Sequence, residues 1–276
     1  MNRLFNLIGV LNLTPDSFSD GGQFFSVDLA LKHVERLIAE GADFIDVGAE
    51  TSKPGSDPIS IEIEMQRLRP FLSQYRTYFD CPLSLDTYKA EVAQWGIDLG
   101  VNWINDISGL SDPQMINVIA NTGVGIMVMH MQGNPKTMQD NPVYTDVVDD
   151  VYSFLLHQVS RCRDRHIQQI MIDPGIGFGK RTAHNLCIFN QLSRFQSIGV
   201  PVMIGPSRKS FIGQLTGAAI TDRLPGTIAS VLHAYSQGIT VFRVHDVAQV
   251  RQALTVWDAM AQPATMNQVS KQLETQ

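Results

Sequence analysis

Short apolar runs recur along the chain, each followed by a longer segment in which apolar residues return at helical spacing. The runs predict strands over Leu4–Leu11, Phe44–Gly48, Leu83–Asp86, Trp103–Ile107, Gly125–His130, Ile170–Asp173, Val202–Gly205 and Thr240–Val244. The spaced segments predict helices over Asp28–Ala39, Ile61–Tyr78, Lys89–Leu99, Asp112–Ala120, Tyr144–Asp164, Ala183–Gln196, Asp222–Ser236 and Ala248–Met260. Asp28, Asp112 and Asp222 stand where helix N-caps are expected. Strict alternation of strand and helix calls for parallel strands joined by right-handed crossovers, as an open doubly wound sheet or a closed barrel.

Polar residues end nearly every predicted strand: Asn12, Glu50, Asp86, Asn105, His130, Asp173, Ser207 and His245. A barrel brings all strand ends to one face, where its active site lies, whereas an open sheet gathers only those at its switch point. The expected fold is therefore a single (β/α)8 barrel of the α/β class, with the active site at the C-terminal strand ends. Residues 1–262 form that barrel, and the polar, glutamine-rich stretch 263–276 is a tail. No glycine fingerprint follows the first strand. Gly175, Gly177 and Gly179 follow the sixth and read as a tight turn.

With 276 residues, 44% hydrophobic, the chain can bury one large core. A net charge of −6 argues against nucleic acid as a partner. The N-terminal apolar run is too short to span a membrane and leads into a polar loop rather than a cleavage site. Cys81, Cys162 and Cys187 form no paired motif, which fits a reducing, cytoplasmic setting without structural zinc.

The loop Asn12–Gly22 is longer than a usual strand-to-helix connection and carries an amide, hydroxyls, carboxylates and the Phe18 ring, so it is expected to bind ligand. Asp86, Asn105 and Asp173 together could present acceptors to a heterocycle with a guanidine-like edge; a lone aspartate would more often cap a helix. Ser207, Arg208 and Lys209 follow the seventh strand, and Arg243 and His245 share one face of the eighth. Those loops are where barrels often hold phosphate. Asn12 is either a loop brace or a neutral oxygen for Mg2+ carried by a pyrophosphate. His130 is a pocket wall or a chemical group, and the other helix-region histidines read as packing or surface residues.

In order, Asn12–Gly22, Asp86-Thr87, Asn105-Asp106, Met129–Pro135, Asp173-Pro174-Gly175, Ser207-Arg208-Lys209 and Arg243–Asp246 resemble dihydropteroate synthase, of the pterin-binding family, over about Gly9 to Asp246. The resemblance implies condensation of 6-hydroxymethyl-7,8-dihydropterin diphosphate with 4-aminobenzoate, in folate synthesis, by a homodimer using Mg2+. It implies that Asp86, Asn105, Asp173 and Lys209 bind pterin, with Lys209, Asp86 and Asp173 catalytic. It further implies that Ser52, Lys53, Arg243 and His245 take the diphosphate, and that Phe18, Pro54 and Ser207 border the aminobenzoate site, where sulfonamides compete. Asn12 is the implied metal ligand.

The family's second loop reads Gly-Glu-Ser-Thr-Arg-Pro-Gly, whereas this chain has Ala49-Glu50-Thr51-Ser52-Lys53-Pro54-Gly55. Lys53 keeps the charge and loses the bidentate fork. That departure motivates one alternative, a pterin-binding paralogue without synthase activity. Another, a pterin-dependent methyltransferase, would need a cobalamin module for which the chain has no room.

Overall fold

The computed structural model describes residues 4–14 and 27–261. Eight parallel strands alternate with helices: β1 (Asn6–Asn12), β2 (Phe44–Gly48), β3 (Leu83–Asp86), β4 (Trp103–Asp106), β5 (Gly125–Met129), β6 (Ile170–Asp173), β7 (Met203–Ile204) and β8 (Val241–Val244). Around the ring they run β6-β5-β4-β3-β2-β1-β8-β7. The seam between β6 and β7 is closed by a bridge between Ile172 and Val202, and by the Ile172 N–H on the Pro201 carbonyl at 3.0 Å. β7 is only two residues long, shorter than expected. Pro201 and Pro206 bracket it, and neither has an N–H for a ladder.

The helices are α1 (Val27–Ala39), α2 (Ile61–Tyr78), α3 (Ala90–Asp98), α4 (Met115–Ile119), α5 (Val147–Asp164), α6 (Thr182–Asn190), α7 (Leu192–Phe195), α8 (Ser210–Thr216), α9 (Leu224–Ser236) and α10 (Val247–Ala261). The single helix expected over 183–196 is broken at Gln191, where φ is −130°. α8 was not expected; Gly217, at φ 75°, ends it with a left-handed cap. The cap expectations fail in part. Asp28 lies inside the first turn of α1, and Asp222 sits in a 3-10 turn one residue before Arg223 at the N-cap of α9. Asp112 instead takes the N–H groups of Gln114 and Ala90, tying α3 to the loop before α4. Among the described residues Ser60 caps α2 and Asp146 caps α5 through their side chains. The 263–276 tail lies outside the described residues.

Successive strand residues point to opposite faces, and the core divides accordingly. Leu7, Ile45, Val47, Leu85, Ile104, Val128, Ile172 and Phe242 pack outward with the helices in one large cluster. Ile8, Met127, Met171, Met203 and Val241 form a second cluster inside the barrel, with Phe44 and Trp103 against it. Two residues further along, the same inward faces carry Asp46, Asn105, Asp173 and Arg243. The barrel is thus plugged by apolar side chains at the N-terminal end and turns polar toward the C-terminal end. That change of character inside a closed wall places the chemistry.

Candidate active site

A cleft of about 340 Å³ opens at the C-terminal end of the barrel. Asn12, Ser52, Lys53, Asp86, Asn105, Asp173, Ser207, Lys209, Arg243 and His245 all line it, although they come from seven strands and their following loops. Pro54 is exposed and stands outside that lining; the next residue, Gly55, donates its N–H to the Pro135 carbonyl. Phe18 lies outside the described residues.

Asp86, Asn105 and Asp173 bring acceptors to the cleft from adjacent regions of the wall. Asn105 and Asp173 are buried. Burial raises the Asp86 carboxyl above its ordinary value, and the neighbouring Asp46 carboxylate raises it further against the opposing field of Arg243. Burial also raises Asp173, opposed by the Gly175 N–H, which reaches its Oδ1 at 2.7 Å, and by Lys209. The Lys209 ammonium sits over the Phe178 ring, 3.8 Å from its centroid. Burial pushes that ammonium down to about 8, with Asp173 resisting and Arg243 assisting.

Arg243 is tied to two carboxylates rather than standing as a free anion clamp. Its Nε lies 2.6 Å from Asp46 and its Nη2 3.0 Å from Asp86. His245 has its Nδ1 3.0 Å from the Ser207 hydroxyl. Burial, then Arg243 and Arg208, push its imidazole down to about 4, so it faces the cleft as a neutral ring. Arg208, at a left-handed φ of 57°, points to Asp246 through two hydrogen bonds and anchors the loop after β7 to the end of β8.

Glu50 lines the cleft but its oxygens are committed. They accept from Tyr88 at 2.6 Å, from the Ile59 N–H at 3.3 Å, and from Lys89, which also pairs with buried Glu64. The residue braces the second loop. His130 does not line the cleft; it is buried against Phe154 and Tyr144, and burial with the Lys180 charge strongly lowers its pKa.

Two residues escaped the sequence reading. Asp46 is an acidic residue inside an apolar run, a signal that period-two alternation from Phe44 to Gly48 makes legible. Lys180 is 3% exposed, with its Nζ 2.9 Å from His130 Nδ1 and 3.0 to 3.2 Å from the carbonyls of Gly175, Phe178 and His130. It staples the loop after β6 to the end of β5. No local pattern marks it.

The pterin binding enzyme family profile matches residues 8–245. Dihydropteroate synthase of Escherichia coli K12 is 41% identical over 256 residues, covering 92% of this chain and 91% of that protein. The chain belongs to this family.

Solved structures of family members agree with the fold as well as the sequence. Xanthomonas albilineans dihydropteroate synthase with 4-aminobenzoic acid superposes at a TM-score of 0.87, with 40% identity and 94% of each chain covered. The same enzyme with 7,8-dihydropteroate gives a TM-score of 0.84 at 38% identity, again with 94% of each chain covered. As in those family members the architecture is a (β/α)8 barrel, and no described helix is long and apolar enough to cross a membrane.

Proposed function

We propose that this cleft joins 6-hydroxymethyl-7,8-dihydropterin diphosphate to 4-aminobenzoate, releasing diphosphate and 7,8-dihydropteroate. The observation that carries the reading is a division of labour within one cavity. The acceptors of half-buried Asp86 and of buried Asn105 and Asp173 suit the N–H edge of a pterin, with Lys209 as a donor beside them, and Arg243, His245 and the exposed Lys53 offer donors suited to an anion. The relatives' bound 4-aminobenzoic acid and 7,8-dihydropteroate are the nucleophile and product this reaction requires.

The bond from the pterin methylene carbon to the diphosphate oxygen breaks, and its electron pair leaves with the diphosphate. The lone pair of the neutral arylamine then forms the new C–N bond, and the nitrogen gives up one proton to water. The carboxylates of Asp86 and Asp173 stabilise positive charge on the pterin without forming a bond to it. Lys53, Ser52, His245 and the unpaired Arg243 nitrogen hold the departing diphosphate. Ser207 orients His245 through its Nδ1 and borders the aminobenzoate.

Among the described residues no three His, Cys, Asp or Glu side chains gather to hold a metal. Asn12 at the end of β1, a single neutral oxygen, would be the residue that holds Mg2+. When bound, Mg2+ supplies charge compensation to the leaving group. A homodimer in the cytoplasm belongs to the same reading.

The test is diphosphate release when 4-aminobenzoate is added to protein, pterin diphosphate and Mg2+. Turnover is expected, with loss in Lys209→Ala. Binding of pterin diphosphate without release would favour the non-catalytic paralogue, for which Lys53 is the motive, and full activity of Lys209→Ala would remove that residue from the site.

A further inference from the structure

Asp46 sits in the middle of β2, fully buried, below the residues that line the cleft. One of its oxygens, Oδ2, accepts from Arg243 Nε at 2.6 Å and from Asn105 Nδ2 at 3.1 Å. The partners lie on β8 and β4, so a single buried atom joins a candidate anion-binding group to a candidate pterin-binding group.

That arrangement dictates which faces the partners show. Only a donor can face a carboxylate oxygen, so the NH2 of Asn105 is turned inward and its carbonyl is left for the cleft. Arg243 spends Nε on Asp46 and Nη2 on Asp86, and among the described residues Nη1 has no partner. Among the described residues Asp46 Oδ1 and the hydroxyl of Ser84, its register neighbour on β3, accept or donate no hydrogen bond to protein.

We propose that Asp46 is a positioning residue, which orients the Asn105 amide to accept from the pterin and aims the free nitrogen of Arg243 at the diphosphate. The inference rests on the cleft being a pterin site.

The experiment measures affinity for 6-hydroxymethylpterin, which carries no diphosphate and therefore reports the Asn105 arm. Wild type, Asp46→Asn, Asp46→Ala, Asn105→Ala and the Asp46→Ala/Asn105→Ala double variant are compared. Asp46→Ala is expected to weaken binding about tenfold, because the amide is no longer held. Asp46→Asn should lose less than about threefold, since its amide oxygen can occupy the Oδ2 position. In the Asn105→Ala background Asp46→Ala should add less than about threefold, the signature of two residues acting through one contact. If Asp46→Ala does not fold, Asp46→Val runs the same cycle at similar volume. Multiplying penalties in the double variant, or equal losses in Asp46→Asn and Asp46→Ala, would overturn the inference. Failure of wild type to bind 6-hydroxymethylpterin would instead overturn the pterin reading itself.

Discussion

Gly175→Ala is expected to damage both stability and pterin binding, and the structure lets the two losses be worked out separately. Gly175 has φ 72°, a left-handed conformation that costs an L-residue roughly 1–2 kcal/mol. An added Cβ would also stand 1.9 Å from the His130 carbonyl oxygen, a backbone atom that no rotamer change can move. Overpacking of that kind costs about 1–3 kcal/mol, so the sum is about 2–5 kcal/mol. In a chain of this length each kcal/mol lowers Tm by about 2 °C, which gives a fall of about 4–10 °C. The Gly175 N–H holds Asp173 at 2.7 Å, and displacing it removes a charge-assisted hydrogen bond worth about 1.5–3 kcal/mol. At least about tenfold weaker pterin binding should follow. Calorimetric Tm and titration with 6-hydroxymethylpterin read the two effects. Gly177→Ala is the control: it shares the positive φ, at 81°, but its Cβ would meet only the movable Lys209 side chain, at 3.1 Å. The reasoning is refuted if Gly175→Ala matches wild type in both measurements, or if Gly177→Ala lowers Tm as far as Gly175→Ala.

Lys180→Met should lower stability by roughly 3 kcal/mol, since two buried carbonyls and one half-buried one lose their donor while the cost of burying an ammonium is relieved; Tm by calorimetry checks it. Lys53→Arg should tighten inorganic diphosphate binding by up to about fivefold by restoring a planar fork at an exposed position, and isothermal titration would show no change if Lys53 lies off the anion's path. Lys209, brought down to about 8 by burial, is cationic below that pH and neutral above it. Affinity for 6-hydroxymethylpterin should therefore fall by up to about tenfold from pH 7 to pH 9, and the fall attributable to Lys209 should vanish in Lys209→Met measured over the same range.

Most of the barrel and much of the candidate site can be read along the chain. The strand and helix periods are set by neighbours two to four residues away, so eight alternations and their polar ends, from Asn12 to His245, are visible without a structure. Elements that depend on backbone detail are less legible. β7 is cut to two residues by flanking prolines, and Asp28 and Asp222 resemble caps in composition but miss the cap position. The second-loop departure at Lys53 is plain in sequence. Its neighbour Glu50, which reads as a free polar strand end, is bound instead to Lys89 and Tyr88 from the loop after β3.

Local order thus determined the repeating unit, its polar ends and the family to which they belong, because those follow from pattern and turn chemistry over short distances. Closure of the ring decided the rest. Arg243 meets Asp46 across 197 positions of sequence, and Lys180 finds His130 across 50, contacts that exist only once the strands form a wall around a buried interior. Burial there makes an unpaired charge costly, so the pairs that form on closure settle which groups remain available to a ligand.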